Sequence, residues 1–482
     1  MARSTRPRGA TTRGTTATTG AQQVSVWEDD PEPAVQVTRP LPDPSKRPLA
    51  YNFPGRAPAP GGQPGTPSFR YWTAAEALRR GADFWAPRIP SGNWEVGARL
   101  TVLLDQGVDL NAYYDRRALN FFHGPSPSGT VYSGESPDIV CHEMGHAILD
   151  AIKPQLWGAA SHEAAAFHES FGDMSAILSA LQLQSLRNAI LHDTGGHLYQ
   201  NSRLSRLAEQ LGTAIRAQAP DAVNPDCLRN AVNSFTYQDP INLPQMAPAA
   251  QLSSEPHSFS RVFTGAFFEV VAGMLAAKAA NPSSPTEQEL LAVSQEMGDI
   301  LVAGARQAPV VSNFYAQVAA AMVQASAGKN PAYPPLLKGV FVRRSILSLH
   351  AATTVEALHQ SVAVAIAPAA AGPTEALDTV ALPAAHYGLD QPLLVESPSH
   401  PRQLYAVSAA ADASSLDPAS SITAARAFVD DLFRRGQVDY NNIGRPEARL
   451  EHGHRLRTHE LVSERGGVRL RRRLFDCGLQ HR

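Results

Sequence analysis

The chain carries little charge, few cysteines and no strong excess of either sign of charge. Charged residues make up 18% of the 482 residues, and 42 Lys plus Arg against 44 Asp plus Glu leave a net charge of −2. Such a chain has no overall electrostatic attraction for nucleic acid or for an anionic membrane. Its cysteines, Cys141, Cys227 and Cys477, are too few and too scattered for a disulfide framework. We therefore expect neither a nucleic-acid partner nor a fold held by disulfides.

A long apolar run is also missing. The most apolar stretch, residues 259–277, is interrupted by Arg261 and Glu269 and falls short of the roughly 20 apolar residues that a membrane span needs. The basic N-terminal residues are followed by Gly, Thr and Ala rather than by the apolar segment of a secretory signal. We expect no membrane partner and, by default, a cytoplasmic location, with signal-independent export as the alternative.

Composition and periodicity divide the chain into four segments. Residues 1–65 are rich in Thr, Arg, Pro and Gly, which predicts a disordered tail. Residues 66–160 begin with strand-like patterns and end in a helix, and residues 161–330 are predominantly helical in pattern. Residues 331–482 form a C-terminal extension of open role, and a turn after Arg465 between two alternating stretches predicts a β-hairpin near its end.

The strongest chemical motif is His142-Glu143-Met144-Gly145-His146. Two histidines four residues apart on a helix project onto one face and can share a zinc ion. The intervening Glu143 is then placed to act as general base toward water at the metal. A pentapeptide alone is weak support, because a catalytic zinc site takes three protein ligands.

A third ligand is available on the next predicted helix. Glu169 and Asp173 are four residues apart there, so Glu169 can face the metal while Asp173 accepts the free ring N–H of a ligating histidine. The alternative interpretation is two surface acids on an amphipathic helix. Cys141, beside His142, is predicted to be a small buried helix residue, with a thiol switch on the site as the alternative.

With these residues the chain resembles the thermolysin-like zinc metallopeptidases. The HExxH residues match the first part of that family's pattern, and Glu169 and Asp173 match its Asn-Glu-x-x-x-Asp motif, with His168 in place of Asn. The resemblance implies Zn²⁺ held by His142, His146 and Glu169. It also implies an α+β fold of two lobes, a sheet-containing N-terminal lobe and a helical C-terminal lobe, here followed by the extension.

Three further stretches are similar to that family. Asn111 and Ala112 resemble the edge strand that hydrogen-bonds the substrate backbone. Arg229 resembles the arginine that contacts a substrate carbonyl, and His257 resembles the histidine that stabilises the developing oxyanion. The resemblance therefore implies catalytic roles for His257 and Arg229 beside Glu143.

The chain also departs from the family pattern. Between His146 and Glu169, where the family has an oxyanion-stabilising Tyr, there is no aromatic hydroxyl. Leu252 stands where an Asp would orient the catalytic histidine, and Glu255 is the nearest acid. Asp138 matches a calcium ligand, but residues 180–190 contain no acid, so the family's double calcium site is not carried over to this chain, and calcium binding stays open.

These patterns predict a zinc endopeptidase that hydrolyses internal bonds of a peptide or protein substrate. The alternative is a catalytically weak or inert scaffold that binds a protein partner through the cleft or through the region after residue 330. An aminopeptidase is a weaker alternative, because no Gly-x-Met-Glu-Asn-type motif is present to hold a free N-terminus.

Overall fold

The computed structural model describes residues 22–32, 34–348, 376–399, 421–440 and 457–478. Its helices are α1 (Pro67–Trp85), α2 (Pro137–Ile152), α3 (His162–Ala180), α4 (Gln184–Thr194), α5 (Glu209–Arg216), α6 (Pro256–Lys278), α7 (Glu287–Gln307), α8 (Phe314–Ser326), α9 (Tyr333–Arg343) and α10 (Ser421–Arg434). Its strands are β1 (Gln23–Trp27), β2 (Gln36–Pro40), β3 (Ala50–Asn52), β4 (Arg99–Leu103), β5 (Ala112–Tyr114), β6 (Ala118–Phe121), β7 (His123–Ser126), β8 (Gly129–Tyr132), β9 (Arg206–Leu207), β10 (Arg229–Asn230), β11 (Asp378–Leu382), β12 (Leu393–Ser397), β13 (Val438–Asp439), β14 (His459–Glu464), β15 (Gly467–Arg472) and β16 (Phe475–Asp476). This mixture of helices with several separate sheets is compatible with the predicted α+β class.

A five-stranded sheet beside α2 contains strands from both ends of the chain. Its order is β16-β5-β6-β4-β3. Strands β3, β4 and β6 run parallel, whereas β5 is antiparallel to β6 and β16 is antiparallel to β5. The edge next to β5 is thus covered by the last strand of the described chain.

Helices α2, α3 and α6 pack together in the core. Serine side chains cap the first two: Ser136 accepts a hydrogen bond from Ile139 N, and Ser161 accepts one from Ala164 N. Two glycines let α2 and α3 approach closely, because a Cβ on Gly145 would lie 2.8 Å from the Cα of Gly172. This close approach brings the side chains of the two helices to one point.

The prediction of a disordered tail over residues 1–65 is wrong for the part that the structure describes. Strands β1 and β2 form a hairpin, and β3 joins the five-stranded sheet. Val24, Val26 and Trp27 are buried. A short alternating apolar stretch within a polar, Pro-rich segment is enough for a strand when a neighbouring helix and sheet cover it. Residues 1–21 lie outside the described residues.

The C-terminal extension forms a second five-stranded sheet, in the order β11-β12-β15-β14-β13. The predicted hairpin is confirmed, since β14 and β15 pair antiparallel from His459 opposite Arg472 to Glu464 opposite Gly467. After β15 the chain leaves this sheet and returns to the first one as β16. The extension therefore contacts the part of the fold that carries the HExxH helix.

One helix in the described part of the chain is long and apolar enough to cross a membrane, namely α6. Its apolar window is 78% buried against the rest of the fold. Since core helices of soluble proteins have the same composition, this helix is weak support for a membrane span.

Candidate metal centre

Helix α2 carries the HExxH residues in the protein interior. His142, Glu143 and His146 are at most 3% exposed. Glu169 projects toward them from α3, with its Oε2 3.4 Å from His142 Nε2 and 3.8 Å from His146 Nε2. The two helices therefore bring together the three zinc ligands that the sequence predicts.

Several polar atoms at this point are buried without a hydrogen-bond partner within the described residues. They are Nε2 of His142, Nε2 of His146, Oε2 of Glu169 and both carboxylate oxygens of Glu143. Buried polar groups in folded proteins almost always have partners. A metal ion would satisfy the two imidazoles and Glu169, and the nitrogen and carboxylate donors are those of zinc sites. The residues present therefore fit the predicted zinc ion.

The orientation of His142 is fixed by Asp173, one turn after Glu169 on α3. His142 Nδ1–H donates to Asp173 Oδ1 over 3.0 Å, which leaves Nε2 facing the centre. Arg229, in β10, donates to the same carboxylate from Nη2 over 2.7 Å and from Nε. Burial opposes ionisation of Asp173, but the Arg229 guanidinium and His142 outweigh it and hold the pKa of Asp173 at about 2. The Asp173 carboxylate therefore stays ionised and accepts the ring N–H of His142, the predicted metal ligand.

The Arg229 guanidinium donates its side-chain hydrogen bonds to Asp173, and its Nη2 lies 3.4 Å from His142 Nδ1. The guanidinium thus supports the orientation of a predicted ligand. Its predicted contact with a substrate carbonyl stays a prediction.

His257 lies in the first turn of α6 and faces the centre. Its Nδ1 lies 2.7 Å from Glu255 Oε1, and its Nε2 lies 3.2 Å from Glu169 Oε2. Burial alone would lower the pKa of His257, but Glu169 and Glu255 raise it well above its ordinary value. Glu255, which also caps α6 at Ser258 N, is therefore the acid that pairs with His257.

Sequence reasoning missed the fourth member of the cluster, Cys477. Among the described residues, one ligand atom each of His142, His146, Glu169 and Cys477 lie within 4.8 Å of one another. Burial would raise the pKa of the Cys477 thiol, but His142 and the other imidazoles hold it well below its ordinary value. The cluster therefore contains a thiol that lies 335 residues after His142 in the sequence.

Cys141 is buried on another side of α2, as predicted for a small helix residue. Its Sγ lies 3.6 Å from the Ala77 carbonyl oxygen of α1, and burial raises its pKa to about 12. The alternative of a thiol switch at Cys141 is therefore wrong, because the side chain packs against α1 and does not belong to the cluster.

The predicted substrate-binding strand is paired with the tail that carries Cys477. Phe475 lies opposite Tyr114 and Asp476 opposite Tyr113, and Cys477 N donates to Ala112 O over 2.9 Å. The Asn111 side chain contacts Gly478, where a Cβ would lie 2.4 Å from the amide carbon. Asn111 and Ala112 thus hold an antiparallel segment of this chain itself.

A cavity continues from the end of this tail along the cleft. Its lining includes Leu228, Arg229, His257 and Ser258, together with Cys477 and Gly478 of the tail.

A second buried cluster lies at the N-terminal end of α2. One carboxylate oxygen each of Asp30, Asp138 and Glu209 lie within 4.8 Å of one another. Asp30 accepts from Ser136 Oγ over 2.6 Å and from Gln210 N over 2.9 Å, and Asp138 accepts from Ala208 N over 3.1 Å. Burial raises the pKa of each of these acids. Asp30 and Glu209 were not singled out by sequence, since they come from distant segments.

The structure therefore brings Glu143, His257, Asp173 and Arg229 around the three predicted ligands, and places Asn111 and Ala112 at the edge of the same cleft. It adds Cys477 and the tail before it. No protein-family model matches the chain, and no curated protein matches it at a significant level.

Proposed function

We propose that this protein is a zinc-dependent endopeptidase of the thermolysin-like kind, with two lobes that meet at the cluster. One observation carries the proposal: His142 Nε2, His146 Nε2 and Glu169 Oε2 converge without partners, with the unpartnered Glu143 carboxylate beside them. A zinc ion held there would polarise the scissile carbonyl and lower the pKa of the attacking water. The substrate class is a peptide or protein.

Glu143 is the general base. Burial, together with the nearby Cys477, raises the pKa of Glu143 well above its ordinary value, which makes its carboxylate a stronger base than that of an exposed glutamate. Glu143 takes a proton from the attacking water and delivers it to the leaving amine. Neither oxygen has another hydrogen-bond partner in the described part of the chain, so both are available for these transfers.

His257 stabilises the charge that develops on the substrate carbonyl, and the edge strand positions the substrate backbone. His257 Nε2 donates to a peptide carbonyl placed in the cleft, as it does now over 2.5 Å to the Asp476 carbonyl oxygen. When the carbonyl gains negative charge, that hydrogen bond strengthens, and such a donor contributes about 3 kcal/mol in acyl-transfer sites. The Ala112 carbonyl accepts from the substrate backbone, which aligns the scissile bond by strand addition.

A catalytically inert scaffold is the second candidate, because a specific observation favours it. The cleft is filled by residues 474–478, and Cys477 completes a four-residue ligand set of the kind found in structural zinc sites. The retained Glu143 favours the enzyme, since zinc can be bound without it.

The test uses the full-length chain with Cys477→Ser, so that the sulfur no longer occupies the cluster. This variant and the double variant Cys477→Ser/Glu143→Gln are incubated with a mixed peptide library, and the zinc content of both is measured. We expect cleavage of internal bonds by the first and loss of cleavage in the second, with about one zinc ion per chain in each. Zinc in both variants without any cleavage would favour the scaffold, and the absence of zinc from both would overturn the site.

A further inference from the structure

The tail of the described chain enters the cleft in the manner of a bound peptide. Residues 475–476 extend the five-stranded sheet as an added antiparallel strand on β5, and the main-chain bond from Cys477 N to Ala112 O continues the ladder. Strand addition at a sheet edge is a common way in which enzymes and binding domains hold extended peptides. The strand that would align a substrate is thus already paired.

The Asp476 carbonyl of the tail accepts the His257 hydrogen bond that a substrate carbonyl would accept. His257 Nε2 donates to the Asp476 carbonyl oxygen over 2.5 Å, and the same Nε2 lies 3.2 Å from Glu169 Oε2. The Asp476 carbonyl therefore lies beside a predicted zinc ligand and on the only His257 nitrogen that is not bound by Glu255.

Cys477 comes next and is only 4% exposed. The Cys477 side chain lies beside ring nitrogens of His142 and His146 and beside Oε2 of Glu169. These atoms have no hydrogen-bond partner among the described residues. Two imidazoles, one carboxylate and one thiolate complete the tetrahedral shell of a zinc ion. With four protein ligands no position is left for the attacking water.

Side chains before Cys477 hold the tail in this register. The Phe475 ring stacks on His168 at 4.0 Å and on His146 at 5.0 Å between ring centroids, and the Arg472 guanidinium lies 4.1 Å from the centre of the Phe475 ring. Leu474 is fully buried. Trp157 donates its indole N–H to the Arg472 carbonyl, so the tail is fixed at its base as well.

We propose that residues 474–478 are an autoinhibitory segment, which fills the cleft as a pseudosubstrate and supplies Cys477 as a fourth metal ligand. This inference rests on the proposed function, because it describes how that same site is kept inactive. The tail is not cut, since the sulfur occupies the place that the water needs. Activity requires the tail to leave the cleft or Cys477 to leave the metal.

The test is made on the full-length protein loaded with Co²⁺ in place of zinc. A thiolate ligand gives a cobalt charge-transfer band in the near ultraviolet that imidazole and carboxylate ligands do not give. We expect this band in the wild type and in the matched control Cys141→Ser, and its loss in Cys477→Ser with the metal content unchanged. If nine in ten wild-type molecules are closed, peptide hydrolysis by zinc-loaded Cys477→Ser rises about tenfold.

A second variant keeps the thiol and displaces the strand. A side chain at position 478 would collide with Asn111, so Gly478→Val should push the tail off β5, weaken the cobalt band and raise hydrolysis. This variant gives an answer if Cys477→Ser does not fold, which thermal unfolding of each variant establishes.

The outcomes separate the two proposals. A wild type that binds cobalt without the thiolate band overturns autoinhibition by Cys477 and leaves the endopeptidase standing. A band that Cys477→Ser removes, without any hydrolysis in either tail variant, confirms the ligand but overturns the endopeptidase. Absence of bound metal from every variant overturns both.

Discussion

Two buried clusters of ligand-type residues lie on one helix and differ in their chemistry. Asp138, His142 and His146 follow each other at four-residue spacing along α2. The first belongs to a cluster of oxygen donors with Asp30 and Glu209, and the other two belong to a cluster that mixes nitrogen, oxygen and sulfur donors. One face of a helix thus contributes to two sites with different preferences.

Burial acts on both clusters, but the neighbours decide the charge. Burial raises the pKa of Asp30 to about 7, and nothing nearby compensates fully, so protons neutralise the acid cluster. In the other cluster, burial also opposes ionisation of Glu169, but His257 and His146 hold its pKa well below the usual range. The Glu169 carboxylate of the second cluster therefore stays ionised, as a metal ligand must be, whereas the acids of the first cluster hold protons. All-oxygen sets of the first kind suit protons or hard cations instead.

The largest expected effect is on zinc content, which should differ between variants of the two clusters. His146→Ala removes a ligand and should abolish zinc binding, a loss greater than the 10- to 100-fold change that follows from removing a partner of a ligand. Asp138→Asn, two turns earlier on the same face, should retain about one zinc ion per chain. Loss of zinc from Asp138→Asn but not from His146→Ala would reverse the assignment of the two clusters.

The next effect concerns the orientation of His142. Asp173→Asn replaces the acceptor behind this ring and should weaken zinc binding about 10- to 100-fold, measured by competition with a chelator. Asp150→Asn is the matched control, because Asp150 is also buried and paired with an arginine, Arg116, but does not contact a ligand. Equal losses in both variants would show that Asp173 has only a general structural role.

The acid cluster should make stability depend on pH. Folding raises the pKa of Asp30 from 3.8 to about 7, so the folded chain holds a proton that the unfolded chain releases between these values. The stabilisation is fully present below about pH 4 and is lost as pH rises to about 7, by at most about 1.4 kcal/mol per pH unit for one proton. Denaturant unfolding in the presence of a chelator should show this slope.

Asp30→Asn should remove the contribution of this one proton and leave those of Asp138 and Glu209, whereas Asp193→Asn, at an exposed position, should leave the slope unchanged. A slope that is the same in wild type and Asp30→Asn would show that Asp30 does not hold the proton.

The smallest effect is expected at Cys141, the other buried thiol on α2. Cys141→Ser places a hydroxyl near the Ala77 carbonyl and should lower the free energy of unfolding by about 1 kcal/mol without changing zinc content. A change in zinc content here would contradict the separation between Cys141 and the cluster.

Much of the site could be predicted because its pattern is local. The spacing of His142, Glu143 and His146, and that of Glu169 and Asp173, follows from helical periodicity, and the structure places both sets on helices that begin at the caps Ser136 and Ser161. The hairpin of β14 and β15 was also readable from alternation and a glycine turn.

What could not be predicted depends on contacts between distant segments. The pairing of β16 with β5, and with it the position of Cys477, joins the last described residues to a strand 361 positions earlier, since Phe475 lies opposite Tyr114. Strands β1 to β3 could not be predicted from composition either, because the helix and sheet that cover them stabilise them, rather than their own residues. Asp30 reaches Asp138 by the same kind of long-range packing.

The most direct test of the central claim is zinc K-edge X-ray absorption on the purified full-length protein, with zinc content measured on the same sample. The account predicts about one zinc ion per chain, bound by two imidazole nitrogens, one carboxylate oxygen and one sulfur at about 2.3 Å, with the sulfur lost in Cys477→Ser. A protein without stoichiometric zinc, or a zinc ion without imidazole ligands, would contradict it.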